Sequence, residues 1–257
     1  MNFQRIWAIS LTRIYPMRSA AHLFRMLMGP VVLTILFGFI ATGFQQETAS
    51  NAPLILMATT VIWQLVMYPH QEITLTALSD LTSSHFMQLF STPLTKPELA
   101  AALLLPTFFT TIFVFLICAL GVILIHGYNP LFAGWPLLPL LANLFIFGEA
   151  FGLLSATIVI RFGEQVSQLA LMLDWFIVVL SGVYYPYEKM AGWLQMLGKA
   201  FPLGYIFGFV RGESWVFEFS YTHIAVVTFL LSVSYLVLVF FLFSRAIERI
   251  RMRGSTL

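Results

Sequence analysis

Charge is scarce in this 257-residue chain. Asp, Glu, Lys and Arg make up 9% of it, against roughly 25% in an ordinary soluble domain. Hydrophobic residues make up 60% and the mean hydropathy is +0.90. That balance excludes a water-soluble globular protein and makes the chain an integral membrane protein. The net charge of +2 is too small and too scattered to bind nucleic acid. Cysteine occurs once, as Cys118, so no intrachain disulfide can form and no thiolate cluster can hold a metal.

The signatures of soluble catalysis are also missing. There is no G-x-x-x-x-G-K-[ST] phosphate loop. Gly198-Lys199-Ala200 lacks both the glycine spacing and the hydroxyl that would hold magnesium. G-x-S-x-G, H-E-x-x-H and C-x-x-C are absent, and the five histidines stand near the ends of apolar runs rather than at ligand spacing. No cofactor or metal is expected on this chain, and no catalytic residue.

Long apolar runs are abundant. Crossing a ~30 Å hydrocarbon layer takes ~20 helical residues, and six runs meet or approach that length, at about 24–44, 53–69, 100–125, 137–160, 167–185 and 222–244. Ahead of them, residues 3–25 mix Phe3, Ile6, Trp7 and Leu11 with Arg5, Arg13, Arg18 and Arg25. This pattern predicts an amphipathic helix in the membrane interface, broken at Pro16, rather than a cleaved signal. The expected fold is therefore all-α, a single domain over 1–257 with six membrane spans.

Orientation follows from the basic residues. Ten of the 13 gather on one side, namely Arg5, Arg13, Arg18, Arg25, Lys96, Arg161, Arg245, Arg249, Arg251 and Arg253; Lys189, Lys199 and Arg211 face the other. Because Lys and Arg are retained in the cytoplasm, both termini are expected there. Nine of the 15 Trp and Tyr residues fall at 128–135 or 184–221, on the expected outer side, where such rings favour the headgroup layer. Two segments then stand out: a cytoplasmic loop, 70–99, and an outer segment, 184–221.

Two acids fall inside spans, Glu149 and Asp174. A carboxylate there is costly and suggests function: a proton relay, a substrate contact, or a structural pairing with Arg161, Asn143 or Gln168. Gly148-x-x-x-Gly152 offers close helix approach, either within one subunit or across a dimer seam. In the outer segment, Ser181-Gly182 ends a helix and Pro186 fixes a turn. Met190–Lys199 and Tyr205–Arg211 read as two short helices separated by Pro202 and Gly204. Irregular backbone at that depth must be buried in protein or face water, so this segment is expected to re-enter the membrane and cap a cavity, with Trp193 on it.

The stretch "LSGVYYPYEKMAGWLQMLGKAFPLGYIFGFVRGE" resembles the most characteristic region of the permease subunits of ABC-2 type ATP-binding-cassette exporters. The likeness lies in its Ser-Gly, its aromatic pair, Pro186, Pro202-Leu203 and Arg211-Gly212. "FMQLFSTPLTKPELAAALLL" is similar to that family's inner loop, and "MRSAAHLFRMLMGPVVLTILFGFI" to its entry into the first span. The resemblance implies a permease with no ATPase activity of its own. It would pair with a second permease, a homodimer by first expectation, and two separate ATPase subunits would carry ATP and magnesium. Docking would fall on the N-terminal helix and the 70–99 loop, through Leu81, Phe86, Leu89, Phe90 and Pro93. The implied location is the bacterial cytoplasmic membrane. An amphiphilic, lipid-like or drug-like substrate is expected, with a polysaccharide or glycolipid as the alternative. A proton-coupled carrier using Glu149 and Asp174 is the alternative of another class.

Overall fold

The computed structural model describes residues 3–14, 19–45, 51–82 and 95–254, and all regular structure among them is helical. The chain forms α1 (Phe3–Ile14), α2 (Ala20–Gln45), α3 (Ala52–Thr82), α4 (Lys96–His126) and α5 (Leu137–Phe162). A broken pair follows, α6 (Ser167–Leu171) and α7 (Leu173–Ser181), then three short helices, α8 (Gly192–Gly198), α9 (Pro202–Arg211) and α10 (Ser214–Phe217), and finally α11 (Tyr221–Gly254). Among the described residues six segments are long and apolar enough to cross a membrane: α2, α3, α4, α5, the stretch Glu164–Ser181 that contains α6 and α7, and α11.

α5 occupies the centre, with α3 and α11 packed on it. In the spanning windows of α3 and α5, 72% and 67% of residues are buried; in the other four the share is 22% to 39%. The peripheral helices consequently expose apolar stripes at helical spacing, such as Phe24, Met28, Val32 and Leu36 on α2. α1 packs against α4, burying Ile6 and Ser10 while Trp7 and Leu11 stay exposed.

The ends of the bundle are defined by side-chain contacts. At one, here the terminal end, Lys96 at the start of α4 is ion-paired with Glu248 near the end of α11. Ile73 and Ala77 of α3, Leu99 and Leu103 of α4 and Phe243 and Ile247 of α11 form a buried cluster there. At the other, the cap end, the Tyr221 hydroxyl at the start of α11 donates to the Pro136 carbonyl at 2.9 Å. There too Phe37 of α2 stacks on Tyr184 at 4.8 Å.

Several boundaries differ from the sequence expectation. The second span, expected to end at 69, continues as helix to Thr82, so 70–82 and 96–99 are helical rather than loop. Polar residues just past 69 find partners within this helix and on its neighbours. The Thr74 hydroxyl donates to the His70 carbonyl at 2.6 Å, the His70 ring nitrogen Nε2 lies 3.0 Å from the Ala170 carbonyl, and the Gln71 amide donates to Asp174. Pro69, which has no N–H for the Leu65 carbonyl, is accommodated inside the helix. The expected fifth span, 167–185, is two helical pieces meeting at Met172 and ends at Ser181, where Gly182 takes the left-handed φ of 65° that closes a helix. α11 runs to Gly254, well past 244. At ~1.5 Å per residue it is ~51 Å long, against a ~30 Å hydrocarbon layer.

Candidate functional site

The segment expected to form a cap is built on a buried charged pair. Pro186 turns the chain out of the α7 end into a 3-10 turn, Tyr187–Lys189. Gly212, at φ 72°, lets α9 stop abruptly and puts Arg211 and Glu213 back to back. Arg211 donates to the Val183 and Tyr185 carbonyls, so it fastens the turn after α7 to the end of α9. Glu213 lies 3.6 Å from the guanidinium and accepts from the Tyr187 amide at 3.0 Å and the Trp215 indole at 2.7 Å. Both side chains are nearly dry, at 8% and 7% exposure. Burial pulls the Arg211 guanidinium below its ordinary pKa while Glu213 works in the opposite direction.

Tyr187 is the peg of this assembly. Its ring stacks on Trp215 at 4.9 Å and its hydroxyl donates to the Gln195 carbonyl of α8. A Cβ at Gly198 would stand 2.7 Å from that hydroxyl and 2.6 Å from the Leu180 carbonyl, so only glycine lets α8 sit there. Burial, with Tyr205 and Glu213 adding, pushes the Tyr187 hydroxyl up to about 12. α9 buries Leu203, Ile206, Phe207 and Val210 against the core. Phe201 ahead of it joins Phe147 of α5 and Tyr235 of α11 in an aromatic trio.

The cap residues expected from sequence are thus found close together, in unequal roles. The Ser181 hydroxyl donates to the Val178 carbonyl at 2.9 Å and accepts from the Val183 amide at 3.3 Å, finishing α7. Pro202 is the buried first residue of α9 rather than a break before it, because its fixed φ suits a helix start. Trp193 is 66% exposed on α8, beside Met196 at 79%. Sequence reasoning missed Glu213 and Tyr187; an Arg-Gly-Glu triplet next to a helix-ending glycine was the available signal. Beside the cap lies a cavity of about 510 Å³ bounded by the first turns of α3, the turn after α7 and residues 211–214.

Below the cap the seams are polar. A Cβ on Gly148 would collide with the Leu65 carbonyl and stand 3.0 Å from the Val66 Cα; on Gly152 it would lie 2.7 Å from the Pro69 carbonyl. The glycine pair therefore seats α5 on α3 within one subunit, and Gly148 lies against the carbonyl that Pro69 leaves without its helical donor. Asn143 donates to the Ala225 carbonyl at 3.0 Å and to the Thr228 hydroxyl at 2.9 Å, joining α5 to α11. It is not a partner of Glu149, whose two carboxyl oxygens are buried with no hydrogen-bond partner. Asp174 accepts from Gln71 at 3.3 Å and from the Trp175 amide at 2.9 Å, so its partner is Gln71 rather than Gln168. The Arg161 guanidinium lies over the Phe162 ring, 5.1 Å from its centroid.

A spanning bundle with a helical cap held by Arg211-Gly212-Glu213 can now be set beside known proteins. The family model for the ABC-2 type transporter matches residues 1–213. The chain belongs to that family. No curated protein matches it. Membership makes this chain a membrane permease subunit of an ABC transporter. The matched region closes at Glu213, so Tyr187, Arg211 and Glu213 of the permease lie inside it, while Trp215, α10 and α11 lie beyond.

Of the permease's expected docking residues, Leu81 is half-buried in the last turn of α3 against the terminal-end cluster. Phe86, Leu89, Phe90 and Pro93 lie outside the described residues. The segment that holds them is bounded by α3 and α4, whose facing ends are fixed by that cluster and by the Glu98 carboxylate accepting from the Thr95 amide at 2.9 Å.

Proposed function

We propose that this permease forms the membrane path of an ATP-driven exporter for an amphiphilic, lipid-like or drug-like molecule. Two permeases would face each other around the path, and a separate pair of ATPase subunits would dock at the terminal end. The observation that carries this reading is the cap: short helices pinned by a dry Arg211–Glu213 pair over the ends of the spans. Such a lid has a purpose only if something beneath it is retained and then released. Ten basic residues on the terminal side support a cytoplasmic position for that end, in a bacterial inner membrane. ATP closure of the partner pair would push on the α3 and α4 ends, and rigid helices would carry the shift to the cap.

The mostly apolar, aromatic setting of the cap favours an amphiphile over a polysaccharide or glycolipid. A second reading, a self-contained proton-coupled carrier, draws on the unpartnered carboxyl of Glu149.

One experiment separates the two. The tagged chain is extracted from its native membrane in mild detergent and examined for a stoichiometric ATPase subunit by mass spectrometry and ATP hydrolysis. A copurifying ATPase is the expected result. Purification alone, without hydrolysis, combined with loss of transport in Glu149→Gln or Asp174→Asn, would replace the exporter with the carrier.

A further inference from the structure

The cavity beside the cap has the size and the lining of a binding site. Its volume, about 510 Å³, falls within the ~300–1,000 Å³ typical of small-molecule sites. Ile55 and Leu56, in the first turns of α3, give it an apolar wall; Tyr184 and Tyr185 give it aromatic surface; Glu188 and Ser214 stand at its polar side.

Its charges resolve to a single available one. The Arg211 guanidinium is committed to two carbonyls and to Glu213, and both Glu213 oxygens are taken by the Tyr187 amide and the Trp215 indole. Glu188 differs. Its Oε1 accepts from the Ser214 hydroxyl at 2.6 Å, and no described group donates to its Oε2. The hydroxyl of Tyr185 is spent on the Val179 carbonyl, which leaves the ring rather than the hydroxyl for a ligand. A carboxylate with a free oxygen, aromatic rings and an aliphatic wall together make a site for a cation joined to a greasy chain. The cation gains from the carboxylate and from a ring face, and the chain from the wall.

We infer that this cavity is a binding site for an alkylammonium amphiphile, its head on Glu188 and Tyr185 and its chain along Ile55 and Leu56. The inference rests on the export of an amphiphile and narrows its class. Two sources share the chemistry: a phospholipid with an ammonium headgroup, and a free amphiphilic cation. Ala52 at the start of α3 borders the same space.

The test is native mass spectrometry of the purified full chain, with no nucleotide or ATPase present. Retention of phosphatidylethanolamine and of dodecyltrimethylammonium is compared with retention of phosphatidylglycerol and of dodecyl sulfate. The wild type should hold the ammonium-bearing partner of each pair about tenfold better. Glu188→Gln, at an exposed position that leaves the Ser214 contact available, should bring the preference within about twofold. Leu56→Trp, which fills the cavity, should lower occupancy by every probe. Dodecyltrimethylammonium that displaces the lipid identifies a free cation as the occupant, and lipid that resists displacement identifies the headgroup. Equal retention of the anionic probes, or a preference that survives Glu188→Gln, overturns the inference. Because the chain is measured alone, that failure would leave a copurifying ATPase, and so the exporter reading, intact.

Discussion

Replacing Gly148 by alanine adds one methyl group at the α3–α5 seam, and its cost can be worked from the geometry. The added Cβ would overlap the Leu65 carbonyl and stand 3.0 Å from both the Val66 Cα and the Pro69 side chain. Ordinary carbon contacts lie at ~3.5–4.0 Å, so the helices must separate by ~0.5–1 Å, which forfeits a quarter to a half of each contact's attraction. If ~40 atom pairs at ~0.15 kcal/mol each lose about a third, the loss is ~2 kcal/mol, inside the ~1–3 kcal/mol usual for overpacking. An added Cβ at Gly148 would take the place of a glycine hydrogen aimed at the Leu65 carbonyl that Pro69 leaves free, and a Cα–H contact of that kind is worth ~0.5–1 kcal/mol. Alanine also gains helix propensity, but so does Gly121→Ala in α4, where the added Cβ meets nothing within 4 Å. The difference between the two variants is therefore the seam itself, ~2–3 kcal/mol, or ~5–10 °C for a chain of this size. The protein carries its own reporter: Cys118 is its single thiol and is 1% exposed, so a maleimide dye reads unfolding directly. Gly148→Ala should melt well below Gly121→Ala, with Gly152→Ala between them, since one of its close contacts is the yielding tip of Ile73. Equal melting of Gly148→Ala and Gly121→Ala would refute the close seam.

Arg211→Met should cost ~3–5 kcal/mol, because it strands the Glu213 carboxylate in a dry site; the Arg211→Met, Glu213→Leu double variant should recover part of this in the same melting assay, and full additivity would count against a coupled pair. Tyr187 holds its proton to about 12 in the folded cap and to about 10 when unfolded. Its contribution is thus complete below pH 10 and is lost as pH rises towards 12; Tyr187→Phe should flatten alkaline melting curves over that window, and unchanged curves would contradict the assignment. Asn143→Leu removes two bonds to α11 and should destabilise by ~1 kcal/mol, near the average for polar contacts between membrane helices, with no loss in melting temperature as the contrary result. Reversing the terminal-end pair, as Lys96→Glu with Glu248→Lys, should restore coupled ATP hydrolysis lost in either single variant; a double variant as defective as the singles would deny the pair a part in coupling.

The six candidate spans and the short helices between the fifth and sixth were legible because they depend on local signals: run length, and proline or glycine at turns. What was not legible depended on partners distant in sequence. His70, Gln71 and Thr74 fall just past the expected end of the second span, yet the chain stays helical there, with His70 and Gln71 finding acceptors one hundred or more residues away at Ala170 and Asp174. Pro69 stands at that expected end, and nothing local announces that Gly148 will lie against the carbonyl it leaves free. The break at Met172 carries neither Gly nor Pro and escaped notice. Glu213 went unnoticed because only the left-handed Gly212 turns it against Arg211. Glu149 and Asp174, alike in sequence as intramembrane acids, part company once neighbours are known: one is hydrogen-bonded to α3 and the other has no partner.

These contacts also decide how motion can travel. α11 begins at the cap end with the Tyr221 bond to Pro136 and, near its middle, stacks Tyr235 on Phe201 at 5.5 Å. It finishes at the terminal end, through Glu248 on Lys96 and the burial of Phe243 and Ile247 beside the roots of α3 and α4. In its first two turns Asn143 ties it, at Ala225 and Thr228, to α5, which is itself seated on α3 by two glycines. A continuous helix held at both ends cannot absorb a displacement of one end by bending at a proline or glycine between residues 222 and 253, for it has none there. A push on the start of α4 must therefore either part Lys96 from Glu248 or carry α11 along and lever Tyr235 against Phe201 at the root of the cap. α2, α3 and α4 differ in containing Pro30, Pro69 and Pro106, where strain can be taken up locally. On this reasoning the helix outside the matched family region is the stiffest connection between the two ends of the molecule.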